Sequence, residues 1–157
     1  MADVKIEVEG LKELVAKMDQ LPKEVQQAMS KTMLASLDVL HENVPPYAPQ
    51  AVPPEVYTRT GTLGRSLGSS QGGGKAGGKP TVYSVTGQGN NFVGTFGTNL
   101  GYAQHVIDPD KQAYMHKPGY KGRAGWWTMD DIVERATAKI NKLWDITVKA
   151  IINKLGL

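Results

Sequence analysis

The sequence contains no cysteine among its 157 residues. Disulfides, thiolate metal sites and cysteine nucleophiles are therefore excluded together. Long apolar runs are also missing, because the longest cover only a few residues and a membrane-spanning helix needs about 18 or more. Residues 1–5 lack the basic and apolar stretches of a secretory signal, so we expect no export by that route. These absences predict a soluble intracellular protein whose length suits one domain over residues 1–157.

Charge is divided unevenly along the chain, although its net value is only +3. Residues 1–44 carry five basic and eight acidic groups, residues 45–127 carry eight and three, and residues 128–157 carry five and four. The middle part is therefore the basic one, and it also holds eight of the nine prolines. Because loops on a rigid scaffold usually carry function, we expect the functional surface in this middle part.

The N-terminal part predicts one strand and two helices. Apolar and charged residues alternate over 4–9, which indicates a half-buried strand. Apolar residues then recur every three or four positions over 11–21 and again over 23–43, which predicts two helices separated by Pro22. The prolines over 45–54 end the second helix and predict an extended segment.

The remainder of the chain predicts a hairpin and a long helix. Residues 68–80 are mostly glycine, serine and lysine, which predicts a flexible loop. β-Branched and aromatic residues predict strands over 81–86 and 91–97, joined by a turn. Thr128 is a suitable N-cap for an amphipathic helix that runs to Gly156, with two aspartates in its first turn.

An irregular segment rich in cations and aromatic rings precedes the last helix. The pattern predicts a short element of undecided type over 102–107 and irregular structure over 108–127. Cations interleaved with rings are typical of single-strand binding, so a small nucleic-acid-binding module built on 111–127 is the alternative function. The other interpretation is that the tryptophans anchor the last helix. The residues concerned are Lys111, Lys117, Lys121, Arg123, Tyr114, Tyr120, Trp126 and Trp127.

Two short motifs match catalytic or nucleotide-binding patterns without their context. A Gly-x-Ser-x-Gly motif around Ser66 is followed by Asp108 and His116, in the order of a hydrolase triad. The nucleophile elbow needs a strand before the serine and a helix after it, whereas proline-rich and glycine-rich segments flank this one. Residues 73–79 read Gly-x-x-x-x-Gly-Lys, but Pro80 follows where a Ser or Thr should open a helix. We therefore expect neither enzyme activity nor a cofactor.

A metal site is a further alternative. Imidazole and carboxylate groups are suitable ligands for zinc or manganese, and His105, Asp108, Asp110 and His116 lie close in sequence. Their spacing fits no compact ligand pattern, and the Asp-Pro-Asp sequence is typical of a turn. We therefore expect no metal.

The order of these elements resembles a known family. Residues 4–14, followed by helices, resemble the opening of the tail-completion (head–tail joining) proteins of long-tailed bacteriophages. Residues 59–67 resemble that family's Asp-Thr-Gly-Arg-Leu-Arg-x-Ser-Ile stretch, preceded in both by Ala-Pro. Residues 93–95 and 97–106 resemble its Val-Gly-Thr-Asn-x-x-Tyr-Ala-x-x-Val segment, and the closing amphipathic helix is also present.

This resemblance implies a small α+β fold and a role in assembly. The fold would be a twisted, mostly antiparallel sheet with N-terminal helices and a long C-terminal amphipathic helix packed on it. Proteins of this family form a ring, commonly of six subunits, between the tail tube and the head connector. The implied partners are therefore other copies of the chain, the tube protein, the connector (adaptor or stopper) protein and, non-specifically, DNA in the ring lumen. No membrane partner is implied.

The resemblance also implies where the chain acts. It would occupy the head–tail junction of the virion, after assembly in the host cytoplasm. The loops of the basic middle part would then contact other subunits or partners. The predicted interface residues are Arg59, Arg65, Lys75, Lys79, Tyr102, His105, Lys117, Lys121 and Arg123.

Overall fold

A computed structural model describes most of the chain. The described residues are 2–6, 23–45, 61–69, 78–88, 91–117, 119 and 125–155. The predicted helix over 11–21 lies outside them, as does most of the predicted extended segment over 45–54. In chain order the elements are β1 (Ala2–Ile6), α1 (Lys23–Glu42), α2 (Thr62–Ser66), β2 (Val82–Gln88), β3 (Asn91–Thr98), α3 (Gln104–Ile107), a 3-10 helix (Tyr114–His116) and α4 (Met129–Leu155).

The strands form an antiparallel sheet in the order β1-β3-β2. β2 and β3 make the predicted hairpin, in which Gln88 pairs with Asn91 across the turn. β1 pairs with the other edge of β3, so that Ala2 lies opposite Thr98. The predicted α+β class with an antiparallel sheet is therefore confirmed. The first strand occupies Ala2–Ile6, and the rest of its predicted range lies outside the described residues.

Helix α1 packs across the sheet over β3, as its apolar periodicity predicts. Glycine at position 94 permits this close approach, because a Cβ there would lie 2.8 Å from the Sδ of Met33 and 3.1 Å from a methyl of Leu37. Its buried apolar residues recur at helical spacing and are Val25, Met29, Met33, Leu37, Val39 and Leu40.

Helix α4 lies antiparallel to α1. The Nζ of Lys139 is 2.6 Å from a carboxylate oxygen of Glu42, near the end of α1, whereas Lys154 pairs with Glu24 near its start. Between these exposed ion pairs, the indole Nε1 of Trp144 donates a hydrogen bond of 3.2 Å to the hydroxyl of Ser36. Exposed pairs add little stability, so the buried apolar face of α4 holds the two helices together.

The predicted N-cap of α4 is confirmed. The backbone N–H of Asp131 donates to the hydroxyl of Thr128, at 3.4 Å, and the backbone N–H of Thr128 donates to the Asp131 carboxylate, at 2.6 Å. These reciprocal bonds satisfy backbone donors that the first turn of a helix leaves unpaired. The buried residues before and along α4 lie in one core with Phe96 of β3, namely Trp127, Met129, Ile132, Ala136, Ile140 and Trp144.

Candidate functional site

The end of the sheet at which β3 finishes and β2 begins gathers several irregular segments, and we call it the loop end. The hydroxyl of Thr98 donates a buried hydrogen bond of 2.8 Å to the hydroxyl of Ser66 in α2. The backbone N–H of Thr81 donates to the carbonyl of Ser66 at 2.8 Å. Helix α2 is therefore fixed to the ends of both hairpin strands.

The chain after α2 also contacts the end of α1. The Nε2 atom of His41 lies 3.0 Å from the carbonyl oxygen of Gly68. The hydroxyl of Ser69 donates to the carbonyl of Pro45 at 2.6 Å. Gly68 and Ser69 are buried, so the first two residues of the predicted 68–80 loop pack against the protein. Residues 70–77 lie outside the described part.

Helix α3 and the 3-10 helix continue the loop end. The short element left undecided over 102–107 is helical at Gln104–Ile107. The backbone N–H of Ala113 donates to the carbonyl of His105 at 2.8 Å. The buried side-chain amide of Gln112 donates to the carbonyls of Val106, at 2.7 Å, and Trp126, at 3.2 Å. These bonds hold an otherwise irregular segment in one arrangement.

Five of the predicted interface residues lie on these segments, and all five are exposed. They lie on α2, just before β2, and on the segments that follow β3. The five are Arg65, Lys79, Tyr102, His105 and Lys117. The other four, Arg59, Lys75, Lys121 and Arg123, lie outside the described residues.

Lys79 takes part in a chain of contacts that reaches α1. Its Nζ lies 4.7 Å from the ring centroid of Tyr83, over the ring face, which is a cation–π contact. The Tyr83 hydroxyl donates a hydrogen bond to the Asp38 carboxylate. Burial raises the pKa of the Tyr83 phenol well above its ordinary value, and the hydrogen bond to Asp38 and its negative charge raise it further. Tyr83 is therefore neutral at physiological pH.

Two exposed tyrosines flank the α3 region of the loop end. The exposed fraction is 47% for Tyr102 and 75% for Tyr114. Tyrosine is enriched in protein–protein interfaces, where a large ring becomes buried at low entropic cost. Tyr114 and Lys111 are predicted from the sequence only as part of the nucleic-acid alternative. The exposed position of Lys111, whose Nζ lies 3.8 Å from an Asp108 carboxylate oxygen, adds it to the basic surface of the loop end.

The geometry of Ser66 does not fit a nucleophile. Its hydroxyl is buried, donates to the carbonyl of Leu63 at 2.7 Å and accepts from Thr98. The serine lies in the last turn of a short helix instead of following a strand. A histidine that acted as general base would have to contact this hydroxyl, whereas the two hydrogen-bond partners of the hydroxyl are the Leu63 carbonyl and the Thr98 hydroxyl. We assign Ser66 to the packing of the loop end.

Asp108, one of the residues considered as metal ligands, makes local contacts instead. One oxygen of Asp108 accepts hydrogen bonds from the backbone N–H groups of Asp110, at 3.0 Å, and Lys111, at 3.3 Å. This arrangement confirms the turn predicted for the Asp-Pro-Asp sequence. Within the described residues, no group of three or more His, Asp or Glu side chains is arranged to hold a metal ion.

The aromatic segment of the nucleic-acid alternative is partly core. Trp127 is buried, and the Trp126 ring is half-buried and packs at 59° to it, with centroids 6.1 Å apart. Buried rings cannot stack on bases, so Trp127 serves the packing of α4, as the second interpretation predicted. Tyr120, Lys121 and Arg123 lie outside the described residues.

None of the helices in the described ranges combines the length and apolar content that crossing a membrane requires. Comparison with models of known protein families, with curated proteins and with solved structures gave no match to this chain. The resemblance to a family therefore rests on the residues quoted for it alone.

Proposed function

We propose that this chain is a non-enzymatic assembly protein of a bacteriophage virion. It forms a ring, hexameric as in the family it resembles, at the head–tail junction. The ring completes the tail and joins it to the head connector. Its partners are other copies of the chain, the tail tube protein, the adaptor or stopper protein of the connector, and the DNA that passes through its lumen.

One observation carries the proposal. The two central stretches that resemble the family are 59–67 and 93–106, and they are far apart in sequence. A buried hydrogen bond of 2.8 Å between Thr98 and Ser66 connects them. The described parts of both stretches therefore contribute to one unit, the loop end.

The chemistry of the loop end supports a binding role. Its exposed groups include several cations and two tyrosines, and the Ser66 hydroxyl, which a hydrolase would need exposed, is buried. A closed ring needs two different complementary surfaces on each subunit. The basic middle part and the acidic N-terminal part supply opposite charges for such a contact, which favours correct pairing and fast association.

Deletion of the gene from its phage or prophage tests the proposal. We expect heads and tails that fail to join, or tails of abnormal termination, in negative-stain micrographs of lysates. The wild-type chain supplied in trans should restore joined particles. A Tyr102→Ala/Tyr114→Ala variant should restore them poorly, because both rings are exposed at the loop end.

The matched control is Gln27→Ala, an exposed residue near the start of α1 and remote from the loop end. It should restore joining to the wild-type level. Infectious particles produced at the normal titre without the gene would refute the proposed function. Equal rescue by the tyrosine variant and the control would show that the interface does not lie at the loop end.

A further inference from the structure

Helix α4 carries a line of exposed cations that we call the α4 basic stripe. Its members are Arg135, Lys142 and Lys149, and all three are exposed. They follow one another at intervals of seven residues, which is close to two helical turns, so they lie along one side of the helix. At about 1.5 Å per residue the stripe is about 21 Å long.

The stripe lies on the side of α4 that faces away from α1. Trp144 points towards α1, because its Nε1 donates to Ser36. Lys142 and Ile146 are each two residues from Trp144, which places them about 160–200° around the helix from it. Ile146 is 58% exposed, in agreement with this orientation. Nothing in the described part of the chain covers this side of the helix.

The charges of the stripe are not neutralised within the described part of the chain. The neighbouring cations Lys139 and Lys154 pair with Glu42 and Glu24 of α1, whereas no ion pair is formed by the three stripe residues among the described groups. Three carboxylates are near the stripe in sequence: Asp131 and Glu134 beside Arg135, and Asp145 between Lys142 and Lys149. None of them is within salt-bridge distance of a stripe residue.

We propose that the α4 basic stripe binds the phosphodiester backbone of duplex DNA. Three cations about 10 Å apart on a rigid helix can each reach a separate phosphate, because phosphates recur about every 3.4 Å along one strand. Such contacts carry no sequence information, so binding is non-specific.

An acidic protein surface is the competing partner. A stable protein interface has an apolar core, and Ile146 is the one exposed large apolar side chain that the described part of α4 presents. The described part of α4 therefore offers a protein partner no apolar core on this face, which favours a polyanion bound through the three unpaired cations. The identification of that DNA as the genome passing through the ring rests on the proposed function, whereas the binding itself belongs to the single chain.

Fluorescence anisotropy of a labelled 30-bp duplex, titrated with the full-length chain at about 50 mM salt, tests the inference. We expect the Arg135→Gln/Lys142→Gln/Lys149→Gln variant to bind about tenfold or more weakly than wild type. The slope of log affinity against log salt should fall in magnitude by about 2.7, which corresponds to three lost phosphate contacts. Circular dichroism should show unchanged helix content, because all three positions are exposed.

The matched control instead removes three exposed cations that belong to neither the stripe nor the loop end, in Lys23→Gln/Lys31→Gln/Lys154→Gln. It changes the net charge equally, and we expect its affinity to stay within about threefold of wild type. Conversely, Asp145→Asn removes a carboxylate beside the stripe and should tighten binding by about twofold.

Three outcomes would overturn the inference. The first is that the wild-type chain does not bind the duplex, and the second is that both triple variants lose the same amount of affinity. The third is that polyglutamate displaces the duplex as effectively as unlabelled DNA does. The last would identify an acidic protein as the partner. None of these depends on particle assembly, so joined particles without DNA binding refute this inference alone. Normal particles after gene deletion refute the proposed function alone.

Discussion

The hydroxyl of Thr98, the last residue of β3, donates a hydrogen bond of 2.8 Å to the hydroxyl of Ser66 in α2. Both groups are buried, and the Thr98 hydroxyl also accepts from the backbone N–H of Leu100, at 3.2 Å. The contact fixes the start of the loop that leads to α3. It thus determines the relative position of the two stretches on which the proposed function rests.

Ser66→Ala should lower the free energy of unfolding by about 1–3 kcal/mol, because the buried Thr98 hydroxyl loses its acceptor. Urea denaturation measures the change, with exposed Ser84→Ala as the control that should stay within about 0.5 kcal/mol of wild type. Below its melting temperature the Ser66 variant should still rescue head–tail joining. Complete loss of function in a folded variant would instead indicate that the hydroxyl takes part in chemistry.

Gly68→Ala should destabilise the protein by about 2–4 kcal/mol. Gly68 has a φ of +69°, and a Cβ there would lie 2.1 Å from the carbonyl oxygen of Gly78 and 2.4 Å from the Nε2 of His41. Gly101→Ala is the matched control, because a Cβ there meets no atom within 4 Å. If thermal unfolding showed similar midpoints for both variants, the described packing between α2 and the end of α1 would be wrong.

The Tyr83 phenol should make stability depend on pH in the alkaline range. Its pKa is raised in the folded protein, first by burial and then by Asp38, so the unfolded chain loses this proton first. Its stabilising contribution is therefore complete below the unfolded pKa of about 10 and decreases as the pH rises above it. Tyr83→Phe should remove this part of the alkaline decrease, as measured by chemical denaturation from about two pH units below to about one unit above the unfolded pKa.

Asp38→Asn separates the two causes of that pKa shift. Spectrophotometric titration at about 295 nm, where the ionised tyrosine ring absorbs, should show that Tyr83 ionises at a lower pH in this variant than in wild type. Its pKa should still be higher than that of an exposed tyrosine, because burial remains. Ionisation of Tyr83 together with the exposed tyrosines in the wild-type protein would contradict the contact.

Trp144→Phe should cost about 1–2 kcal/mol, because the Ser36 hydroxyl loses the indole donor while most of the ring volume is kept. Ser36→Ala should cost a similar amount, since it leaves the buried Nε1 of Trp144 without an acceptor. The double variant should cost less than the two single changes added together, by about 0.5 kcal/mol or more. Strict additivity would mean that the two groups do not interact.

The sequence predicted the elements whose signals are local. Apolar periodicity located α1 and α4, and the capping residue Thr128 located the start of α4. Turn residues between β-rich runs located the hairpin. Helices α2 and α3 are only five and four residues long, too short to show a period, and sequence patterns did not identify them as helices. The contacts that fix them join residues distant in the chain, such as Ser66 with Thr98, and no local pattern encodes such pairs.

Only part of the candidate site could be predicted from the sequence. The loop residues Arg65, Lys79, Tyr102 and His105 were predicted from the sequence as interface residues, whereas their exposure could be seen only in the structure. The α4 basic stripe was missed because residues 128–157 sum to a charge of +1, which conceals how the cations are arranged. The seven-residue spacing of Arg135, Lys142 and Lys149 was the signal that could have indicated it.

Locating the chain within the virion tests the central claim most directly. A phage carrying an epitope-tagged copy, purified as intact particles and labelled with gold-conjugated antibody, can be imaged by electron microscopy. We predict one labelled position per particle, at the narrow segment between head and tail. Gold label along the tail or on the capsid would contradict the proposed function, and so would infectious particles that carry no label.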